Sequence, residues 1–189
     1  MPSWVNLPNS LTLLRLAMAP FVIQAILAGR PMPALVLFAA AAWTDILDGA
    51  AARRLGVSTK VGAYLDPIAD KCLLSGVFLA LAWTHRVPWW AVGIIFGRDL
   101  YILLAALVMM QFTPVRNFPP SVWGKLSTFA QILTVALWMG RDLFQLEVLA
   151  ALSSAMLWVC VALAIWSGLH YTWRGVRLWA FGGYIAGVR

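Results

Sequence analysis

The sequence predicts an all-α integral membrane protein, a bundle of six transmembrane helices with a short interfacial helix at its N-terminal end. Three observations carry that expectation. Hydrophobic residues fill 62% of the 189 positions and charged residues only 11%, against about a quarter charged in an ordinary soluble domain. The mean hydropathy is +0.84. Apolar runs long enough to cross a bilayer as helices, roughly 17–25 residues each, recur along the whole chain between short breaker segments.

The elements follow in order. "WVNLPNSL" reads as the interfacial helix, with Trp4 at headgroup depth. The spans run Leu11–Leu27, Pro33–Ala52, Val61–Trp83, Trp89–Phe112, Ser121–Met139 and Leu146–Tyr171. Between them stand "GRPMP", "RRLGVSTK", "THRVP", "TPVRNFPP" and "GRDLFQ", where Gly, Pro and charge interrupt the apolar pattern. No internal repeat or low-complexity tract divides the chain, so residues 1–189 read as a single domain. "MPSWVNLP" lacks the basic start and short apolar core of a cleavable leader. Cys72 and Cys160 both fall in apolar runs and read as small core residues, with no disulfide framework or CxxC site.

The basic residues orient the bundle. Arg53, Arg54, Lys60, Arg116, Lys125, Arg174, Arg177 and Arg189 belong to one side, and Arg30, Arg86 and Arg141 to the other. Lys and Arg accumulate on the cytoplasmic side, which places both termini and the second and fourth connections there. The net charge of +7 fits that bias and attraction to anionic lipid headgroups. Nucleic acid is excluded as a partner because the basic residues are dispersed rather than striped. Many of the 11 Trp, among them Trp4, Trp83, Trp89, Trp90 and Trp173, fall near span ends as interfacial anchors. His85, in an outer turn, and His170, closing the last span, read as interfacial too.

Four of the seven acidic residues crowd into one hairpin: Asp45, Asp48, Asp66 and Asp70. Spacings of three and four put each pair on one helical face. Counting inward from Arg53 and from Gly62 puts Asp48 and Asp66 about 6–7 Å deep, and Asp45 and Asp70 about 12 Å deep. Four carboxylates therefore converge just inside the cytoplasmic boundary. Left ionised and bare there, each would be disfavoured by roughly 2.5–3.5 kcal/mol. Protonation or bound hard cations relieve that cost, and an oxygen-only donor set fits Mg²⁺, Mn²⁺ or Ca²⁺ rather than zinc. Two such ions suit phosphoryl chemistry. Gly49, Ala50, Ala51, Ala52 and Gly62 keep the surface low, for a ligand or simply for close helix packing. Arg53 offers a planar fork to a phosphate, or serves with Arg54 and Lys60 as an ordinary basic loop. Lys71 points about 100° away from Asp70 and is not read as catalytic. Arg98 and Asp99 pair with each other within the fourth span.

The stretch from Asp45 to Asp70 resembles the signature of the CDP-alcohol phosphatidyltransferases, D-x2-D-G-x2-A-R-x8-G-x3-D-x3-D. It is met at Asp45, Asp48, Gly49, Ala52, Arg53, Gly62, Asp66 and Asp70. Size, a six-helix layout, "LPNSLTLLR" before the signature and "GKLSTFAQ" after it extend the resemblance. It implies transfer of a phosphatidyl group from CDP-diacylglycerol to an alcohol with release of CMP, by a homodimer in a bacterial inner membrane, with the site facing the cytoplasm. Asp45, Asp48, Asp66 and Asp70 would hold two Mg²⁺ or Mn²⁺ ions, and Asp70 would also act as general base. Asp48, Gly49, Ala52, Arg53 and Gly62 would line the cytidine diphosphate site. Arg98 matches a position near the acceptor pocket, and Arg116 and Lys125 would join it.

Glycerol 3-phosphate ranks slightly ahead as acceptor, on the basic candidates Arg98, Arg116 and Lys125 and as the more common activity. Gly124, Lys125, Thr128 and Gln131 also resemble a stretch of members that use it; inositol phosphate and serine rank lower. Asp99 in place of the usual Glu, and the Arg-free "LYILLAALVMM", lean toward the cardiolipin-forming branch, which uses phosphatidylglycerol. Intramembrane prenyltransferases, whose aspartate motifs lie far apart, fit less well. A cation or proton transporter is the rival of another class, but the repeats and broken helices of that class are not visible.

Overall fold

A computed structural model describes the backbone of residues 7–55, 60–112 and 121–186, and side chains within 10–44, 69, 71–105 and 121–177. Six α-helices and no strands occur among them: α1 (Leu7–Leu27), α2 (Pro31–Leu55), α3 (Lys60–Trp83), α4 (Trp89–Phe112), α5 (Val122–Phe144) and α6 (Glu147–Ala186). Helix number and order match the sequence expectation. Three boundaries depart from it by four residues or more, one being the end of α5, which runs past Met139 through most of the expected breaker to Phe144. Leu7 to Ser10 continue α1 instead of forming a separate interfacial helix, while Trp4 lies outside the described residues. At the other end α6 runs on past Tyr171, since no Gly–Pro breaker follows and a helix need not stop where its apolar run does. There Arg177 stacks over the Trp173 ring one turn earlier, 4.0 Å from its centroid.

Among the described residues, two stretches are long and apolar enough to span a bilayer unaided, Ser10–Leu27 and Glu147–Arg177. Shorter apolar stretches cover Pro31–Thr44 and Lys71–Trp83. Large apolar side chains such as Phe21, Val36, Leu103, Phe129, Leu152 and Leu169 are exposed along the helices. So much outward apolar surface is a membrane-associated exterior, because soluble monomers rarely expose it.

The chain forms two compact units. The first holds residues 1–88 and 135–153. Within it α1 packs against both α2 and α3, around buried Val22, Phe38, Ala41, Val77, Phe78 and Leu81. Buried Ala69, Leu73 and Leu74 mark the inner side of α3, whereas Lys71 and Cys72 are exposed. Cys72 is therefore not the core residue expected of it; Cys160 is, at 0% exposure.

Three turns of this unit close with a left-handed residue. Gly29 has φ 66°, with Arg30 N–H donating to Ala25 O (2.9 Å) and Gly29 N–H to Ile26 O (3.0 Å). That pair of bonds is a Schellman cap. His85, at φ 56°, repeats it with Arg86 N–H on Leu81 O and His85 N–H on Ala82 O. Gln145, at φ 52°, ends α5 with the simpler single bond to Arg141 O. Residues of all three turns line one cavity, so the turns after α1, α3 and α5 share one end of the unit.

The second unit holds residues 89–134 and 154–189. Here α4 meets α6 through Trp90 and Trp158 (centroids 5.1 Å apart). Likewise α5 meets α6 through Trp123 and Trp166 (5.8 Å, edge to face). Ser127, Gln131 and Thr134 form a buried polar stripe on α5. The Thr134 hydroxyl is placed to donate to Ala130 O within α5 and lies 3.4 Å from Met156 O on α6.

Candidate active site

The aspartates occupy helix, as their spacing predicts. Asp45 and Asp48 lie in the C-terminal half of α2, Asp66 and Asp70 in the N-terminal half of α3. Their side chains, and those of Gly49, Ala52, Arg53, Gly62 and Arg116, lie outside the described ones. Among the described residues no group of three or more His, Cys, Asp or Glu gathers. The donor set of the hairpin is oxygen-only, which suits a hard divalent cation. Thr44, just before Asp45, donates its hydroxyl to Ala41 O at 2.7 Å, a back-bond of the kind that bends a helix slightly.

Arg15 was not singled out from the sequence. Among the described residues it is the largest fully buried side chain, with 1% exposure, and Thr12 on the same helix is at 0%. Its helix is the neighbour of both α2 and α3. Helix rise gives its level. From the end where the three turns meet, Arg15 lies about 18 Å along α1, Asp45 about 21 Å along α2 and Asp70 about 20 Å along α3. A permanently charged residue thus stands level with Asp45 and Asp70 along the helices. The available signal was an arginine within an apolar run, which is costly in lipid and commonly functional.

The second unit builds a basic cavity of about 410 Å³ lined by Arg98, Gly124, Lys125, Thr128, Tyr171 and three apolar residues, Ile102, Phe129 and Ile132. The Arg98 guanidinium is fixed by the protein. Its Nη1 donates to Asp99 Oδ1 at 2.6 Å, the pairing the sequence predicts, and its Nη2 donates to Ser167 Oγ on α6. Only 9% of the side chain is exposed. Gly124 leaves the guanidinium room: a Cβ there would stand 3.4 Å from Nη2 and 3.7 Å from the Tyr171 ring.

Ser121 caps α5 beside this cavity. Its Oγ accepts the Gly124 N–H at 3.1 Å, and its own N–H donates to the Tyr171 hydroxyl at 3.3 Å. A capped helix N-terminus carries partial positive charge, and it adds to Arg98 and the exposed Lys125. The cavity therefore presents the Arg98 guanidinium, its charge offset by Asp99, together with Lys125 and the helix end, beside one apolar wall. Of the stretch Gly124, Lys125, Thr128 and Gln131, the first three line it, while Gln131 is buried with its Nε2 unpartnered. Sequence reading missed Ser167 and Tyr171; a Ser and a Tyr in the long apolar α6 were the signal. His85 is exposed in its turn, and His170 is half-buried, 6.0 Å from Trp173 between ring centroids.

The family model for CDP-alcohol phosphatidyltransferase matches residues 5–166. The chain is 34% identical over 179 residues to a Mycobacterium tuberculosis protein described as a probable phosphatidylglycerophosphate synthase, covering 91% of this chain and 82% of that one. It is likewise 34% identical over 191 residues to the CDP-diacylglycerol–glycerol-3-phosphate 3-phosphatidyltransferase of Bacillus subtilis, covering 91% and 97%. A Drosophila melanogaster protein described as a probable cardiolipin synthase (CMP-forming) is 31% identical over 156 residues, covering 74% of this chain and 48% of that one.

Proposed function

The chain belongs to the CDP-alcohol phosphatidyltransferase family, and from that premise we propose that it transfers a phosphatidyl group from CDP-diacylglycerol to glycerol 3-phosphate, yielding phosphatidylglycerol phosphate and CMP. The observation that carries the choice of acceptor is the basic cavity around Arg98 and Lys125. A small phosphorylated acceptor gives up water on binding, and charge-assisted bonds to fixed cations offset that loss. The Bacillus subtilis relative, which carries this activity in its name, supports the same reading.

In this reading Asp45, Asp48, Asp66 and Asp70 hold two divalent cations, Mg²⁺ or Mn²⁺. Bound there, they neutralise diphosphate oxygens and stabilise the leaving CMP. Asp70 takes the proton from the acceptor hydroxyl. The freed oxygen attacks the phosphatidyl phosphorus, and the bond from that phosphorus to CMP breaks. Gly49, Ala52, Arg53 and Gly62 receive the cytidine diphosphate. Arg15 supplies fixed positive charge at carboxylate depth, which tempers repulsion within the cluster. Arg98 and Lys125, with Arg116, hold the acceptor phosphate, and Ser167 and Asp99 fix the Arg98 fork.

The same reading makes all six helices membrane spans of an inner membrane, with both termini and the aspartates on the cytoplasmic side. The shared end of the α1, α3 and α5 turns supports it, because helices of alternating direction put those turns together. A homodimer is the working form. Phosphatidylglycerol as acceptor, giving cardiolipin, is the second reading, favoured by the apolar wall of Ile102, Phe129 and Ile132. Assay of the purified protein with CDP-diacylglycerol and each acceptor separately tests the choice.

A further inference from the structure

The first unit contains a cavity that the transfer reaction does not use. It holds about 610 Å³ and lies where the turns after α1, α3 and α5 meet, lined by Gly29, Pro31, Arg86, Arg141, Asp142 and Glu147 among others. Pro31 begins α2, so Asp45 lies about 21 Å along that helix from it. The volume is that of a small-molecule site, about 300–1,000 Å³, rather than of a single ion.

Its charges come in matched signs. Arg86 and Asp142 form an ion pair and cancel. Arg141 and Glu147 remain, and neither has an ionic partner among the described residues. The Arg141 guanidinium rests on the face of Trp138, 4.7 Å from the ring centroid, which steadies it without neutralising it. Glu147 opens α6. The residue before it is Leu146, which has no acceptor with which to cap the helix, and the first backbone bond of α6 joins Ala150 N–H to Leu146 O. The leading N–H groups of α6 therefore have no side-chain cap. One wall thus offers a guanidinium and helix-terminal donors, a combination that takes a phosphate, and beside it stands a free carboxylate that takes a cation.

We propose that this cavity binds the headgroup of a zwitterionic phospholipid bearing a primary ammonium, the phosphoethanolamine type. The phosphate sits at Arg141 and the start of α6, and the ammonium donates to Glu147. A quaternary ammonium is disfavoured because it has no N–H for Glu147, and the nearby Trp138 face is already covered by Arg141. A net-anionic headgroup is disfavoured because it sets its uncharged end against Glu147. A lipid, rather than a free phosphate ester, follows from the exposed apolar side chains: Leu146, which lines the cavity, is 57% exposed, and Met32, Phe144 and Val148, each next in sequence to a lining residue, are 56%, 60% and 68% exposed. They offer a surface for acyl chains next to the polar cavity. The site is independent of the acceptor and stands whether that is glycerol 3-phosphate or phosphatidylglycerol.

Native mass spectrometry of the detergent-released full chain tests it, with phosphatidylethanolamine, phosphatidylcholine and phosphatidylglycerol of identical acyl chains offered in equal amounts. The ethanolamine lipid should be retained over the choline lipid by about fivefold or more, the scale of one hydrogen bond to a charged group. Glu147→Gln should erase that preference, and Arg141→Gln should reduce retention of both zwitterionic lipids. CMP release should stay unchanged in both variants, which also reports that they are folded. Equal retention of the two zwitterionic lipids, a preference for phosphatidylglycerol that Arg141→Gln removes, or an unaltered preference in Glu147→Gln would each overturn the proposal. So would displacement of the lipid by an equal concentration of soluble phosphoethanolamine, which would make the occupant a soluble ester.

Discussion

At the scale of single residues, Asp70 and Arg98 do different kinds of work and should fail differently. Asp70→Asn keeps the shape but removes the proton acceptor, so CMP release should fall by roughly 10²–10⁴-fold; near-normal turnover would remove Asp70 as the base. Asp66→Asn should instead move the Mn²⁺ midpoint of activity upward, and an unmoved midpoint would count against Asp66 as a ligand. Ser167→Ala frees one end of the Arg98 fork. It should raise the KM for glycerol 3-phosphate by about 5–10-fold, the worth of one such bond, with kcat little changed. A fall in kcat at constant KM would contradict a role in holding the acceptor. Arg98 and Asp99 were legible as a pair because adjacent opposite charges in an apolar run have few other partners. Ser167 was not, since hydroxyl residues in apolar helices often bond only to their own backbone, as Thr128 does to Gly124 O.

Among elements, the start of α5 and the end of α1 carry the local devices that hold the two units' sites in shape. Ser121→Ala removes the cap on Gly124 N–H and leaves the backbone bond to Tyr171 in place. It should cost about 1 kcal/mol and lower the thermal midpoint of the purified protein, with a loss of acceptor affinity alongside. Gly29 has nothing near its would-be Cβ, so Gly29→Ala meets only the left-handed backbone penalty of roughly 1–2 kcal/mol. An unchanged midpoint would show that the turn relaxes to another shape. Helix number, order and most ends were readable from apolar runs and breakers. The fusion of Leu7–Ser10 into α1 was not, because Pro8 reads as a breaker yet is tolerated in a first turn. Nor was the level match of Arg15 with Asp45 and Asp70, which depends on how tightly the two Schellman turns close.

The whole molecule is governed by where its charge lies. Carboxylates at one end of α2 and α3, and the turns bearing Arg30, Arg86 and Arg141 at the other, give the chain a polarity that positive-inside bias can read. Single cysteines placed at Lys60 and at Arg30, in a background lacking Cys72 and Cys160, should be labelled from opposite faces of sealed inverted vesicles. Labelling of both from one face would contradict the topology. The size of the detergent-solubilised particle should correspond to two copies of the 20.8 kDa chain, and an active monomer would contradict the dimer.

The central claim is transfer of phosphatidate from a nucleotide-linked lipid to a small phosphorylated alcohol, and its most direct test is the product. Purified protein given CDP-diacylglycerol, Mn²⁺ and either glycerol 3-phosphate or phosphatidylglycerol should release CMP with the former. The lipid formed should then have the mass of phosphatidylglycerol phosphate. CMP release with phosphatidylglycerol alone, and cardiolipin as the only new lipid, would contradict it.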